Sequence, residues 1–209
     1  MGFWREQVVP RVANKALDNA DIAEIRARVC AGLHGDVLEI GFGSGLNVPH
    51  YPAAVTGVWT LDPSVVARRI GHERIATSSV PIHTAGLDGH RIDLSDDRFD
   101  SALSTFTLCT IPDVSAALRE VLRVLTPGGT FHFIEHGGSP DPKVATWQQR
   151  LEPVNRRLAG GCHLTRTIDA LVEAVGFQVE TLDTFYAKRG PKPIGYFYEG
   201  LARKPAEAA

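Results

Sequence analysis

From Leu33 onward, short apolar runs alternate with segments of helical periodicity, and this alternation leaves the chain few architectures. Strand candidates are 36–40, 56–61, 80–83, 99–105, 129–135, 177–185 and 194–202. Several are almost continuously apolar, as parallel strands covered on both faces are. Between them, Val114, Leu118, Val121, Leu122 and Leu125 recur at helical spacing. Pro112-Asp113 is expected to start that helix and Pro127-Gly128-Gly129 to stop it. A later helix carries Ile168, Leu171, Val172 and Val175 on one face, with Thr165 as its expected N-cap and Gly176 at its end. The pattern predicts an α/β fold: a seven-stranded, mostly parallel sheet with helices on both faces. Only 187–193 joins the final two strand candidates. That link is too short for a parallel crossover, so the last strand is expected to be antiparallel.

Composition narrows the function. The 209 residues suffice for one buried core. Apolar residues make up 44%, and the formal net charge is −2. A nucleic-acid binder shows a basic excess, which is absent here, so no nucleic-acid partner is expected. Lys188, Arg189 and Lys192 read as a solvated loop. Cys30, Cys109 and Cys162 are far apart and form no CxxC pair, the histidines are scattered, and no metal site or disulfide framework is expected. Unpaired cysteines suit a reducing compartment. No run reaches the roughly 18 apolar residues of a membrane helix, and the N-terminus is not a secretory signal, so a cytoplasmic protein without a membrane anchor is expected. Oligomeric state is left open.

The segment Glu39-Ile40-Gly41-Phe42-Gly43-Ser44-Gly45 follows the first strand directly and precedes a helix-compatible stretch. Alternate glycines let the backbone turn sharply and let a ligand approach where a Cβ would forbid it. In open α/β sheets, ligands bind at the carboxyl ends of strands where the strand order reverses. A tight turn without a ligand is the other meaning of such a loop. The spacing of Gly41, Gly43 and Gly45 is GxGxG, not the GxGxxG of dinucleotide binders. Glu39 would repel a pyrophosphate and attract an ammonium group. Asp62-Pro63 closes the second strand, 21 residues after Gly41. An acid there reaches ribose hydroxyls, or caps the next helix, or does both. A ribose contact, a cationic amino-acid end and no phosphate together describe S-adenosylmethionine. Asp88-Gly89 is either an adenine-binding loop or a simple turn. Thr105 and Phe106 end the fourth strand at the same edge and complete the candidate cofactor set.

The sequence resembles class I S-adenosylmethionine-dependent methyltransferases of the methyltransferase type 11 group. The carriers are LEIGFGSGLN, the strand ending in LDP, DRFDSALSTFTLCTIPD and LREVLRVLTPGGTFHFIEHG. It is similar in particular to the methyltransferase-like 7 proteins, alkyl thiol methyltransferases of animals. That likeness lies in HYP at 50–52, TLCTI at 107–111, IEHG at 134–137, WQQRLEP at 147–153, GGCHLTR at 160–166 and GY at 195–196. It covers roughly residues 35–200. The resemblance implies a Rossmann-like fold, S-adenosylmethionine as cofactor with S-adenosylhomocysteine as product, and a small-molecule acceptor. Relatives often carry an acid where this chain has His90 and a cysteine where it has Phe42. They also carry an N-terminal membrane-anchoring segment, which is not expected here. One domain is expected over 1–209, with a helical lid at 1–32, a cofactor half at 33–136, and acceptor-side segments and C-terminal strands at 137–209.

Methyl transfer from a sulfonium needs alignment and, for an acidic acceptor, loss of a proton. A thiol has a reference pKa near 8.5, so a modest push suffices. His136, after the fifth strand, is the first candidate base and His163 the second. Each has an alternative as an ordinary hydrogen-bonded histidine. Glu135 either orients His136 or caps a loop. Arg166 either attracts an anionic acceptor or pairs with an acid. Cys162 reads as a packed small residue. Trp147 and Tyr196 line an apolar acceptor pocket or pack in the core. A thiol or sulfide is the favoured acceptor. An oxygen, nitrogen or carbon acceptor, such as a phenol or quinone precursor, is the alternative, and a non-catalytic cofactor-binding protein is the third reading.

Overall fold

The computed structural model describes residues 2–86 and 93–206. The strands are β1 (Gly35–Ile40), β2 (Val55–Leu61), β3 (Ile82–Gly86), β4 (Phe99–Thr105), β5 (Leu125–His136), β6 (Gln178–Tyr186) and β7 (Tyr196–Arg203). They form one seven-stranded sheet in the order β3-β2-β1-β4-β5-β7-β6. The pairings among β1 to β5 are parallel, while β7 is antiparallel to both β5 and β6. The antiparallel last strand follows from its short link, as the sequence required.

The helices are α1 (Val9–Leu17), α2 (Ala20–Cys30), α3 (Val65–Ile70), α4 (His72–Ala76), α5 (Val114–Val124), α6 (Pro142–Leu158) and α7 (Ile168–Ala174). Successive strand residues point to opposite faces, which divides the core in two. Leu38, Phe131 and Phe133 pack with Leu118 and Val121 of α5 and Ile168 and Val172 of α7. Val37, Leu103 and Ile134 pack on the other face with Ile22, Ile25 and Val29 of α2. Asn19 caps α2 by accepting from Ile22 N at 3.2 Å, and Asp113 caps α5 by accepting from Ala116 N at 2.9 Å. The N-terminal segment is helical as expected, and α2 is an integral core layer. By contrast, α1 buries no residue and touches the glycine loop through Asn14 Oδ1, which accepts from Ser44 Oγ at 2.6 Å.

Four local expectations need correction. No α-helix follows the glycine loop; Pro49 and Pro52 limit this stretch to a 3-10 turn at Val48–His50. Helix α5 ends at Val124, before Pro127, because Leu125 is already extended (φ −73°, ψ 144°) and opens β5. The cap of α7 is Thr167 rather than Thr165, since Arg166 O is engaged by Gly138 N at 2.7 Å and the chain there is still crossing the strand edge. The third strand, expected over 80–83, starts two residues later and ends three residues later, over Ile82–Gly86. Among the described residues, no helix is long and apolar enough to cross a membrane.

Candidate functional site

The strand order reverses between β1 and β4, so the loops leaving these two strands diverge and open a crevice. The glycine loop forms one wall. Gly41, Gly43 and Gly45 have φ of +71°, +58° and +71°, a left-handed backbone that disfavours a side chain. A Cβ on Gly41 would also strike Thr107. On Gly43 it would project into open space, its nearest neighbour being Gly41 O at 3.9 Å. That space is a cavity of about 80 Å³ whose lining includes Phe42, Gly43, Thr60, Asp62 and Arg68. Asp62 stands at its edge. Its carboxylate accepts from Gly43 N at 2.7 Å and from Ser64 N at 2.6 Å. Burial raises its pKa, and the two N–H donors oppose that rise. Capping of α3 falls to Ser64, whose side chain accepts from Ala67 N. Pro63 is exposed beside this cavity.

A buried polar cluster lies next to the same loop. Glu39 is wholly buried and accepts from Asn47 Nδ2 at 2.8 Å and from the Tyr51 hydroxyl. Burial pushes its carboxyl up to about 7, against the pull of those two bonds and of Arg26. Arg26 reaches in from α2 and is only 4% exposed. Its Nη1 donates to Asn47 Oδ1 and to Thr105 Oγ1, both at 2.7 Å, while its Nε has no partner. A buried donor left unmet costs about 1–3 kcal/mol, so this position calls for an acceptor oxygen. The guanidinium also stands 5.4 Å from the centre of the Phe106 ring, and Phe106 itself holds a φ of +55°.

The other wall belongs to β5 and the segments after it. Glu135 is wholly buried; it accepts from Ser104 Oγ at 2.8 Å, Thr107 N at 2.9 Å and Cys109 N at 3.2 Å. These bonds fold the 106–111 loop onto the strand ends, so its geometry is that of a loop cap. Burial raises its pKa. Arg166 clamps the same loop from outside by donating to the carbonyls of Leu108, Ile111 and Pro112. His163 Nδ1 is 2.7 Å from Glu152 Oε1, and burial, then Arg166, lowers its pKa. The His136 ring packs against Phe106 and Phe197, with centroids 5.7 and 5.0 Å away. Its Nδ1 lies 3.5 Å from Cys162 Sγ. Cys109 is the third member of that group; its hydrogen bond with Cys162 pulls the Cys162 thiol down and pushes its own up. Trp147 is 54% exposed on α6, and Tyr196 is buried between Tyr186 and Tyr198. A larger cavity of about 310 Å³, bordered by Ser139, Gln148, Thr165 and Tyr198, includes neither of them in its lining. Asp88 and Gly89 lie outside the described residues.

Residues 38–133, the stretch holding both the glycine loop and the strand-order reversal, match the family model described as a methyltransferase domain. The chain carries a class I methyltransferase domain. It is 33% identical over 150 residues to human thiol S-methyltransferase TMT1A, a match covering 68% of this chain and 59% of that protein. It thus spans less than two thirds of that relative's length. It is 28% identical over 113 residues to phosphatidylethanolamine N-methyltransferase of Cereibacter sphaeroides, covering 49% and 51% of the two chains. The N-methyltransferase NodS of Bradyrhizobium japonicum, solved with S-adenosylhomocysteine, superposes with a TM-score of 0.72 at 17% identity over 96% of this chain and 98% of that one, which establishes the fold.

In this methyltransferase domain, the fold gathers Glu39, the three glycines, Asp62, Thr105 and Phe106 around one crevice. It sets Glu135, His136 and Arg166 together on the facing wall, and leaves Trp147 and Tyr196 apart. Sequence reasoning missed Arg26, Asn47, Tyr51 and Cys109. Arg26 had a legible signal: it sits four residues after Ile22 on the apolar stripe of α2, where a charge needs a buried partner. Cys109, His136 and Cys162 had none, being separated by more than 25 residues at each step.

Proposed function

We propose that the domain transfers a methyl group from S-adenosylmethionine to the sulfur of a small thiol. The observation that carries the cofactor assignment is the open space at Gly43 and Asp62, with the partnerless, buried Arg26 Nε next to the same loop. The donor fits this pattern. Its ribose diol suits the lone pairs Asp62 has left, and its carboxylate suits Arg26 Nε. Its ammonium would favour the ionised form of Glu39, with Asn47 and Tyr51 fixing that carboxylate. When bound, S-adenosylmethionine supplies a methyl group already activated by a sulfonium. The chain then has to exclude water, align the acceptor and accommodate the loss of its proton. Phe106 and Phe197 make the acceptor end apolar, and His136 supplies the polar group there. His163 is engaged with Glu152, so it ranks second. Glu135 and Arg166 act by holding the 106–111 loop. The adenine contact is assigned to Asp88-Gly89 on the sequence pattern alone. The likeness to TMT1A supports a thiol acceptor.

The likeness to a phosphatidylethanolamine N-methyltransferase supports the second reading, an amine or other non-thiol acceptor. A panel of thiols, phenols, amines and quinols with radiolabelled donor separates the two. Thiol turnover is expected; brisk methylation of an amine or phenol with none of a thiol refutes the first reading. Calorimetry is expected to register binding of S-adenosylhomocysteine and none of NAD.

A further inference from the structure

Cys109, His136 and Cys162 come from three separate parts of the chain: the loop after β4, the end of β5 and the loop after α6. Their ligand atoms all lie within 4.8 Å of one another, and among the described residues no other such trio of histidine, cysteine or carboxylate groups occurs. The edge from Cys162 Sγ to His136 Nδ1 measures 3.5 Å. Zinc bonds of about 2.3 Å to sulfur and about 2.0 Å to nitrogen, set at a tetrahedral angle, place those atoms roughly 3.5 Å apart. This edge already has the length that a bound ion requires. His132 is excluded, although it stands four residues before His136. On strand β5 that spacing separates the two by about 13 Å.

The surroundings hold the trio in place. Glu135 accepts from Cys109 N, and His163 N donates to Cys109 O at 2.8 Å. Asn155 Nδ2 donates to Cys162 O at 2.7 Å. Both cysteines are buried, at 1% and 6% exposure. Two thiolates and one divalent cation sum to zero charge, which such a buried place tolerates better than a net charge. His136 is the most exposed of the three. Its ring lies against Phe106, the chain neighbour of Thr105, so the trio sits at the end of the crevice marked by Arg26 and Thr105.

We propose that Cys109, His136 and Cys162 bind one zinc ion, and that its fourth position takes the acceptor thiol as a thiolate. The second clause rests on the thiol reading above. Structural zinc is closed by four protein ligands, whereas three ligands and one exchangeable position mark a site that binds a reactant. His136 is then a ligand and not a free base. The thiol's proton passes to water as its sulfur meets the metal. That sulfur's electron pair then forms a bond to the methyl carbon of the sulfonium donor. The carbon's bond to the donor sulfur breaks, with its electron pair remaining on that sulfur. The products are two neutral thioethers, and the methylated one, a weaker ligand than a thiolate, leaves the metal.

The test uses the full chain, reduced with a phosphine and stripped of metal. Zinc content and cobalt(II) absorption are measured on adding each metal alone. About one metal per chain is expected, with the intense visible bands of tetrahedral cobalt and a thiolate-to-cobalt charge-transfer band. Cys109→Ala and Cys162→Ala should lose both signals while keeping their affinity for S-adenosylhomocysteine. Adding hydrosulfide or an alkyl thiol should shift the cobalt bands, and the matching alcohol should not. Wild-type protein that takes up no zinc or cobalt overturns the proposal, even if it methylates thiols. Tight metal binding with bands unmoved by any thiol overturns the second clause. Metal binding with a thiol-induced shift, together with turnover of phenols only, supports the metal site and refutes the thiol function instead.

Discussion

Asp62 offers the sharpest quantitative test of the cofactor site. Its carboxylate already accepts from Gly43 N and Ser64 N, at 2.7 and 2.6 Å. A carboxylate has about four lone-pair sites, so about two remain for a ribose diol. Hydrogen bonds to a charged group contribute about 1.5–3 kcal/mol. Replacing Asp62 with Ala should therefore weaken S-adenosylhomocysteine binding by about 10- to 100-fold. The variant also releases Gly43 N and so loosens the glycine loop, which adds to the loss. Asp62→Asn separates the two effects, because its amide oxygen still accepts from one N–H while the negative charge is gone. Affinity should run wild type, then Asn, then Ala. Calorimetry reads the affinities, and a thermal melt with circular dichroism establishes that each variant is folded. A folded Asp62→Ala protein with wild-type affinity would refute the reasoning, since neither the diol contact nor the loop tether would then matter to the ligand.

Other perturbations test neighbouring parts. Gly43→Val should abolish binding of S-adenosylhomocysteine, because the new side chain enters the open space and φ is +58° there; normal binding in calorimetry would remove the loop from the cofactor site. Arg26→Met keeps much of the packing of α2 but removes the partnerless Nε, so donor affinity should fall by about 10-fold or more. A methionine analogue lacking the carboxylate should show no such difference between wild type and variant. His132 is buried, with Nδ1 3.0 Å from Val29 O, and burial holds its pKa down to about 4. Against an unfolded value near 6.5, the folded state binds the proton less well, so this residue costs nothing above about pH 6.5 and destabilises the fold progressively toward pH 4, by about 3 kcal/mol in all. Denaturant melts should show a smaller acid loss in His132→Gln by that amount, and equal slopes would sink the assignment.

The sequence by itself determined the layered α/β architecture, the antiparallel last strand and the first elements of the candidate crevice. Those features are local. Apolar periodicity selects strands and helices, a short link cannot make a parallel crossover, and a glycine run placed directly after a strand shapes its own turn. Boundaries were less legible where two local rules competed, as at Pro127, where the helix had ended before its expected stop. The tertiary structure alone decided what met across the crevice. Arg26 lies on an N-terminal helix outside the strand–helix alternation, yet packing α2 on the sheet carries it to Asn47 and Thr105. Along the chain Glu135 could orient His136 or cap a loop, and only the fold turned its side chain inward to the 106–111 loop. Cys109, His136 and Cys162 show no ligand spacing along the chain. Parallel β4 and β5 deliver two of them to one edge, and the turn after α6 delivers the third. Local patterns encode elements because neighbouring residues compete for the same backbone bonds; distant side chains meet only once sheet order and register are set.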